Sequence, residues 1–407
     1  TGGRAMSRLF FLCLLSCLAF ADWTIVQNHY ETIALSTSFV DSTSGWVTGG
    51  TATLDPLFLY TENGGQNFTN EGLSDSTTGA FFSIRVAGKS WGVAGGFGLF
   101  GTPCGAYTDD GKTWKTMEEF GLSFVCALQG CSAVDDGRTG VLVGVWLHLP
   151  DINGDGIKIT TDGGRRWEQH NSNTGEATCR YGDFLSKSMG YVTSGQFPST
   201  TDGTHPFELR RGEVTKYHMS QYVQLNTLTN RYEINLDKAK MDNPILDGYA
   251  GLISAVTNEG KDWKTLVNIT NQGFYFNEIS CVDENNCWAV TEGVNAGGGI
   301  GSVYHTSDGW ATYDIQFNVT GGALTAIDMQ TATQGWIAGA LVSGPDVTGD
   351  FDGQFWYTTN GGQTWTLDSQ IKNFFPMDIS APDATHAYSS GLTPVGVSSF
   401  AAYTPSS

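Results

Sequence analysis

The sequence predicts an all-β protein built from repeated four-stranded antiparallel units, and three observations predict it. Gly accounts for 53 of 407 residues and aromatics for 12%, while charged residues are only 15%. Many turn formers and few helix formers are the composition of a turn-rich β-protein. An eight-residue phrase occurs six times, as TENGGQNF at 61–68, YTDDGKTW at 107–114, TTDGGRRW at 160–167, VTNEGKDW at 256–263, TSDGWATY at 306–313 and TTNGGQTW at 358–365. A second phrase, an aromatic or apolar residue opening a short β-run that ends near Gly, starts at Trp46, Trp91, Val141, Tyr191, Trp288, Trp336 and Tyr388.

Taken in chain order, the first element is an address. Met6 opens a basic start, Leu9–Phe20 is apolar, and Ala19-Phe20-Ala21 supplies a small-residue cleavage site. Residues 1–21 therefore read as a leader and signal peptide, since the apolar run is too short to span a bilayer. Residues 22–407 read as one domain. Asp22-Trp23-Thr24-Ile25-Val26 looks like a strand leaving one of the boxes, although no box precedes it. Each following unit reads as strand, hairpin, strand ending in Gly, loop, strand, box and strand. In the box the third place is Asn63, Asp109, Asp162, Asn258, Asp308 or Asn360, an acceptor for backbone N–H groups of the turn. Gly supplies φ > 0, and the final aromatic, including Trp114, Trp167, Trp263 and Trp365, packs the turn onto the sheet. The unit of Tyr191 is much longer than the others, which places an insertion at about 196–248. Phe400-Ala401-Ala402-Tyr403-Thr404 resembles a strand entering a box, so the N-terminal strand can complete the last unit and remove an exposed edge. Units of roughly 50 residues with four strands are propeller blades. The expectation is a seven-bladed β-propeller with its ring closed by the N-terminal strand. Eight blades remain the alternative, because Thr200-Thr201-Asp202-Gly203 resembles a degenerate box.

The phrase S/T-x-D-x-G-x-T-W resembles the Asp box, or BNR repeat, of sialidases, sortilin-type receptors and some glycan hydrolases. The mature chain as a whole is most similar to the seven-bladed propellers of the photosystem II stability/assembly-factor type. That resemblance implies the propeller fold and, for some members, a lumenal assembly role. The signal peptide, sequons and cysteines depart from those members. Sialidases need an arginine ahead of the first box, and residues 23–63 contain none.

The formal charge of −20 excludes a basic stripe for nucleic acid, and no later segment is suited to membrane insertion. Cys13 and Cys17 leave with the signal. The remaining six, Cys104, Cys126, Cys131, Cys179, Cys281 and Cys287, suit an oxidising compartment. Cys281 and Cys287 flank a turn and can pair across it; the other pairings stay open. Asn67, Asn268 and Asn318 begin N-x-S/T sequons and are glycosylation acceptors in a secreted chain. The expected product is a monomer outside the cell or in the secretory lumen.

Candidate chemistry is sparse. Glu278 and Asp378 occupy equivalent places in innermost strands and could face the central channel as a carboxylate pair, with Arg85 near them. Solvated strand-start acids are the plainer reading. Asp151, Asn153 and Asp155 alternate ahead of Gly156, as Ca²⁺ loops do, and Asp350 and Asp352 form a weaker counterpart. Plain acidic turns would look the same. The insertion carries Arg210, Arg211, Lys216, Tyr217 and Tyr222, a basic and aromatic mixture suited to partner contact, and His148 lies in another loop of the same face. The leading expectation is a non-catalytic propeller binding a protein or glycan. A glycoside hydrolase and a lumenal assembly factor are the alternatives.

Overall fold

The computed structural model describes residues 22–29, 32–51, 55–73, 79–99, 104–117, 122–149, 154–174, 177–196, 223–226, 231–234, 250–270, 272–293, 300–342, 351–393 and 398–404. Among them every regular element is a strand. The chain enters on β1 (Asp22–His29). The first unit is β2 (Thr32–Phe39), β3 (Gly45–Thr51), β4 (Pro56–Thr61) and β5 (Thr69–Asn70). The second is β6 (Phe81–Ala87), β7 (Trp91–Leu99), β8 (Gly105–Thr108) and β9 (Lys115–Thr116). The third is β10 (Leu122–Ala133), β11 (Gly140–Leu149), β12 (Gly154–Thr160) and β13 (Glu168–Asn171). The fourth begins with β14 (Thr178–Ser186) and β15 (Met189–Gln196). A separate hairpin follows, β16 (Val223–Asn226) with β17 (Arg231–Ile234), before β18 (Ala250–Thr257) and β19 (Asp262–Thr270) complete that unit. The fifth is β20 (Phe274–Cys281), β21 (Cys287–Gly293), β22 (Ile300–Thr306) and β23 (Asp314–Thr320). The sixth is β24 (Gly322–Met329), β25 (Gly335–Val342), β26 (Phe351–Thr358) and β27 (Thr366–Lys372). The last group is β28 (Phe375–Asp383), β29 (His386–Leu392) and β30 (Ser398–Thr404), with β1 paired to β30 from Asp22–Thr404 to His29–Ser398.

Within each unit the strands pair antiparallel in sequence order, except that β15 pairs directly with β18 from Met189–Thr257 to Gln196–Ala250. The long segment between them thus leaves and returns at one point of the unit. The first strands lie side by side in the order β2, β6, β10, β14, β20, β24, β28, and β28 lies against β2. The core is divided into layers between consecutive units. Trp91, Val93 and Trp167 meet Leu128 and Leu142; Phe276 and Tyr304 meet Ile253 and Val267; Tyr388 and Phe400 meet Phe39 and Val47. Each sheet is therefore buried on both faces, which is why its strands read as near-continuous apolar runs.

The second-strand aromatics hold neighbouring units in register with their polar tips. Trp91 Nε1 donates to Thr139 O at 2.9 Å, Tyr191 OH to Glu284 O at 2.6 Å and Tyr388 OH to Ser42 O at 2.6 Å. In each case the acceptor lies in the first turn of the following unit.

The boxes fold as expected at Asn63, Asp162, Asp308 and Asn360. A Thr hydroxyl two residues earlier donates to the acceptor side chain, as Thr160 does to Asp162 at 3.1 Å. That acceptor then takes an N–H four residues on, as from Arg166 at 2.9 Å and Thr364 at 3.0 Å. Two places differ from the sequence reading. In the second unit the acceptor is Asp110, not Asp109, because the hydroxyl that sets the frame is Thr108; Asp110 accepts from Lys112 and Thr113 at 2.8 and 2.7 Å. Asp109 instead pairs with Lys115. In the fourth unit Asn258 and Glu259 both take positive φ, 54° and 56°, so Asn258 serves a tight hairpin turn and its side chain meets Asp262. The fifth position of the box has φ of +82° at Gly65 and Gly164, and a Cβ there would strike Phe400 and Tyr107 of the preceding units. In the fifth unit Trp310 occupies this place at φ 67° and is 1% exposed. Its indole fills the slot that the final aromatic fills elsewhere, which leaves Tyr313 at the last place exposed.

The remaining box aromatics pack on the preceding unit: Trp114 on Trp46 and Phe58, Trp263 on the layer of Val143 and Ile157, and Trp365 on that of Trp288 and Val303. Trp23 of β1 does the same, stacking on Phe355 with centroids 3.8 Å apart and meeting Trp336 edge-on. β1 thus supplies the aromatic that the last unit lacks. Trp23→Ala is expected to cost about 3–5 kcal/mol in equilibrium unfolding, the range for a buried large-to-small change. A loss below about 1 kcal/mol would show that β1 packs only loosely.

Candidate functional site

The site candidates lie on the seven first strands. Each pairs along most of its length with one strand only, so its other edge has N–H groups that need acceptors. Side chains of the preceding unit provide them at one repeated position. Ser38 accepts from Val86 N–H at 2.9 Å, Ser132 from Phe184 at 3.0 Å and Asp183 from Cys281 at 2.7 Å. Ser280 accepts from Met329 at 3.0 Å, Asp328 from Ala381 at 2.7 Å and Ser380 from Phe39 at 2.9 Å. The second unit is the exception. Its residue at this position is Arg85, a side chain with donors only.

Arg85 turns instead to the two acids picked out in the sequence, and the structure brings all three together. Nη1 and Nη2 grip Asp378 at 2.9 and 3.2 Å, and Nη2 also donates to Glu278 Oε1. Asp378 accepts further hydrogen bonds from Ser36 Oγ, from Thr37 N–H at 3.0 Å and from Ile379 N–H at 2.8 Å. Glu278 Oε2 accepts from Ile327 N–H at 3.0 Å. Side-chain exposure is 27% for Arg85 but only 5% and 4% for Glu278 and Asp378. Burial and the adjacent Asp378 push the Glu278 carboxyl well above its ordinary range, against the pull of Arg85. Burial opposes the Arg85 charge, but Asp378 and Glu278 more than compensate and hold it ionised. Tyr181 borders this cluster, its hydroxyl pushed upward by burial and by both acids.

Chemically, a raised Glu beside an Asp is the polarity of an acid and nucleophile pair. Here, however, the oxygens already have partners. Asp378 receives donors on both, and each Glu278 oxygen has one. The cluster joins the second, fifth and last units across their first strands, and its acids also cap neighbouring strand edges.

A second buried polar group was not evident in the sequence. Arg180 is fully buried, stacks 4.2 Å from the Tyr275 ring centroid and donates to Asn277 at 3.1 Å. Tyr275 OH donates to Glu292 at 2.6 Å, and Asn277 Nδ2 donates to Thr325 O at 3.1 Å. Strand alternation alone gives no sign of it, because the partners Tyr275, Asn277 and Glu292 come from the following unit.

Other expected site residues are placed as follows. Asp155 lies on β12, where its carboxylate accepts from Cys179 N–H and Ser172 Oγ, both at 2.8 Å, so it could hold a cation only by giving up these donors. Asp352 accepts from Gln370 Nε2 at 2.6 Å. Asp151, Asn153 and Asp350 lie outside the described residues, as do Arg210, Arg211, Lys216, Tyr217 and Tyr222. For His148 only the backbone, paired with Ser123 on β10, is described. Among the described residues no group of three or more His, Cys, Asp or Glu is placed to hold a metal ion. Cys281 and Cys287 are joined, and Cys104 is joined to Cys126, which ties the second unit to the third; Cys131 and Cys179 are buried thiols. Asn67, Asn268 and Asn318 are all exposed. No described helix is long and apolar enough to cross a membrane.

No protein-family model matches the chain, and no curated protein matches it. Solved structures do share its fold. YCF48 bound to a D1 peptide is 13% identical over 96% of this chain and 99% of that one, with a TM-score of 0.52. YCF48 from Cyanidioschyzon merolae is 13% identical over 95% and 99%, with a TM-score of 0.50. The GH74 xyloglucanase from Xanthomonas campestris is 10% identical over 92% of this chain, with a TM-score of 0.55, and the match spans about half, 53%, of that enzyme. At these identities the likeness establishes fold. The chain is an all-β, antiparallel, propeller-like protein, and its resemblance to the photosystem II assembly-factor type, read from the boxes, holds.

Two outcomes follow from the site. Removing Arg85 as Arg85→Ala leaves buried acids uncompensated, so a loss of about 3–5 kcal/mol at pH 7.5 is expected. Adding Glu278→Gln should recover part of it, and an additive double variant would contradict the pairing. Burial raises both Asp328 and Asp155 to about 6. A carboxyl raised on folding stabilises the protonated state, so its contribution is present below the unfolded value of about 4 and lost as pH rises through about 6. The melting temperature should fall between these limits, and Asp328→Asn, which keeps an oxygen for Ala381 N–H, should shrink that fall.

Proposed function

We propose that this chain is a secreted or lumenal, non-catalytic binding propeller of seven blades, closed by β1, that takes a protein partner on the face formed by its loops between second and third strands. The observation that carries the reading is the engagement of both Glu278 and Asp378 by Arg85 and by backbone N–H groups. A hydrolase needs a carboxyl that can reach the glycosidic oxygen, and neither acid is exposed enough to do so. The seven four-stranded groups, with the last strand group completed by β1 and Ser380 reaching Phe39, support seven blades over eight. Two disulfides agree with an oxidising compartment.

In antiparallel units the loops from second to third strand emerge at one end, opposite the box turns. They vary most in length, from the short connection 150–153 to the long one 197–249 between β15 and β18, and such variable loops carry recognition more readily than uniform turns. The longest holds Arg210, Arg211, Lys216, Tyr217 and Tyr222, and this stretch of it is basic in a chain of net charge −20, which suits an acidic segment. A propeller of the same fold, YCF48, is known with a peptide bound.

The expected result is that the purified full chain captures a partner from its own lumenal or secreted fraction. Arg210→Ala with Arg211→Ala should weaken capture at least about tenfold while leaving the melting temperature unchanged. Glu278→Gln should leave capture intact. The raised Glu278 beside Asp378 favours one other reading, a glycoside hydrolase. Turnover of a polysaccharide or sialoside that is lost in Glu278→Gln and in Asp378→Asn would establish it and overturn the binding reading.

A further inference from the structure

The outer strands of the fifth unit present an apolar patch around a sequon. Five large hydrophobic side chains are exposed among the described residues, and three of them, Ile300, Tyr313 and Ile315, belong to β22, β23 and the turn between them. Strand register puts the patch on one face. On β22, Ile300, Ser302 and Tyr304 alternate to the same side. Across from them on β23 are Thr320, Asn318 and, beyond the bulge at Gln316, Ile315. The Tyr313 ring lies 5.9 Å from that of Tyr304. Asn318 therefore stands between Ile300, its diagonal neighbour about 7–8 Å away, and Ile315, three residues back along β23 and up to about 10 Å away. Its Oδ1 accepts from Ser302 Oγ at 2.7 Å, which fixes the amide, and Asn318-Val319-Thr320 is a complete sequon.

We propose that Asn318 carries an N-linked glycan whose first sugars lie over Ile300, Ile315 and Tyr313. A pyranose ring has a C–H face that covers apolar surface, while its hydroxyls remain in water. In the modifying step the Asn318 Nδ2 bonds to the anomeric carbon of an oligosaccharide carried on a polyprenyl pyrophosphate. The C–O bond to the pyrophosphate breaks, the lipid pyrophosphate leaves with the electron pair, and an Nδ2 proton passes to a base. No oxidant or reductant is needed. Asn268 provides the comparison. It occupies the same place on β19, opposite Leu252 as Asn318 is opposite Ser302, yet among the described residues no large exposed hydrophobic side chain lies on β18 or β19. Its glycan would be surface decoration.

The proposal rests on passage through the secretory route, as the functional reading does, but not on any partner. The test uses the full chain secreted from a eukaryotic host, with sequon occupancy read by peptide mass spectrometry. Asn318 should be occupied. Enzymatic removal of glycans from the folded protein, and Asn318→Gln, should each raise binding of an apolar-surface dye about twofold and lower the melting temperature. Asn268→Gln should do neither, and Ile300→Thr with Ile315→Thr in the Asn318→Gln background should return dye binding to its original level. A secreted protein modified at Asn268 but bare at Asn318 overturns the proposal alone. So do equal responses of the Asn318→Gln and Asn268→Gln variants. A secreted chain bare at every sequon overturns it as well, and the glycoprotein expectation with it, while failure to enter the secretory route removes the compartment reading first.

Discussion

The constraint on which this structure depends is the unpaired edge of each first strand. A strand at the end of a sheet has a row of N–H and C=O groups without a ladder partner, and burying such a row unsatisfied is costly. Here the units meet at those edges. Side chains from one unit accept the N–H groups of the next, from Ser38 through to Ser380, which returns to Phe39 of the first unit. The apolar layers between units hold the sheets together, but they are non-directional. The hydrogen bonds fix how far one unit can slide against another, and the polar tips of Trp91, Tyr191 and Tyr388 fix the same register at larger radius.

This constraint explains why Glu278 and Asp378 have the character they do. At six units the edge acceptor is Ser or Asp. Arg85 interrupts the pattern, and the acids facing it are those that cap Ile327 and Thr37 from other units. The cluster thereby compensates for the missing acceptor by tying three units together through one guanidinium. Its cost is buried charge, which shows as the raised Glu278 and as a chain whose buried Asp155 and Asp328 also lie above their usual range. A cluster whose acids are engaged on every oxygen favours rigidity of the units it joins.

Much of the fold was legible because the repeat is written in turn chemistry. Thr-x-Asp/Asn with Gly and an aromatic at fixed offsets specifies a turn closely enough that Trp23, with no box before it, could be assigned to the last unit. The frame failed where the turn was set by a residue other than the one most visible: Thr108 selects Asp110 over Asp109, and two left-handed residues make Asn258 a hairpin corner. Trp310 was missed as the packing aromatic because it stands where Gly is expected. Glu278 and Asp378 were legible as equivalents on first strands with Arg85 near enough to neutralise them, but not the two-nitrogen grip on Asp378, which joins residues 293 apart in sequence. The pairing of Cys104 with Cys126 and the Arg180–Tyr275 group likewise depend on which units are neighbours, and a repeat pattern does not show which side chains meet across them.

The most direct test of this account is native-state amide hydrogen exchange on the first strands. If side chains cap the edges, the N–H groups of Phe39, Val86, Phe184, Cys281, Met329 and Ala381 exchange as slowly as ladder amides, and Ser38→Ala selectively speeds exchange at Val86. Rapid exchange at these six amides, with slow exchange confined to the ladders, would contradict it.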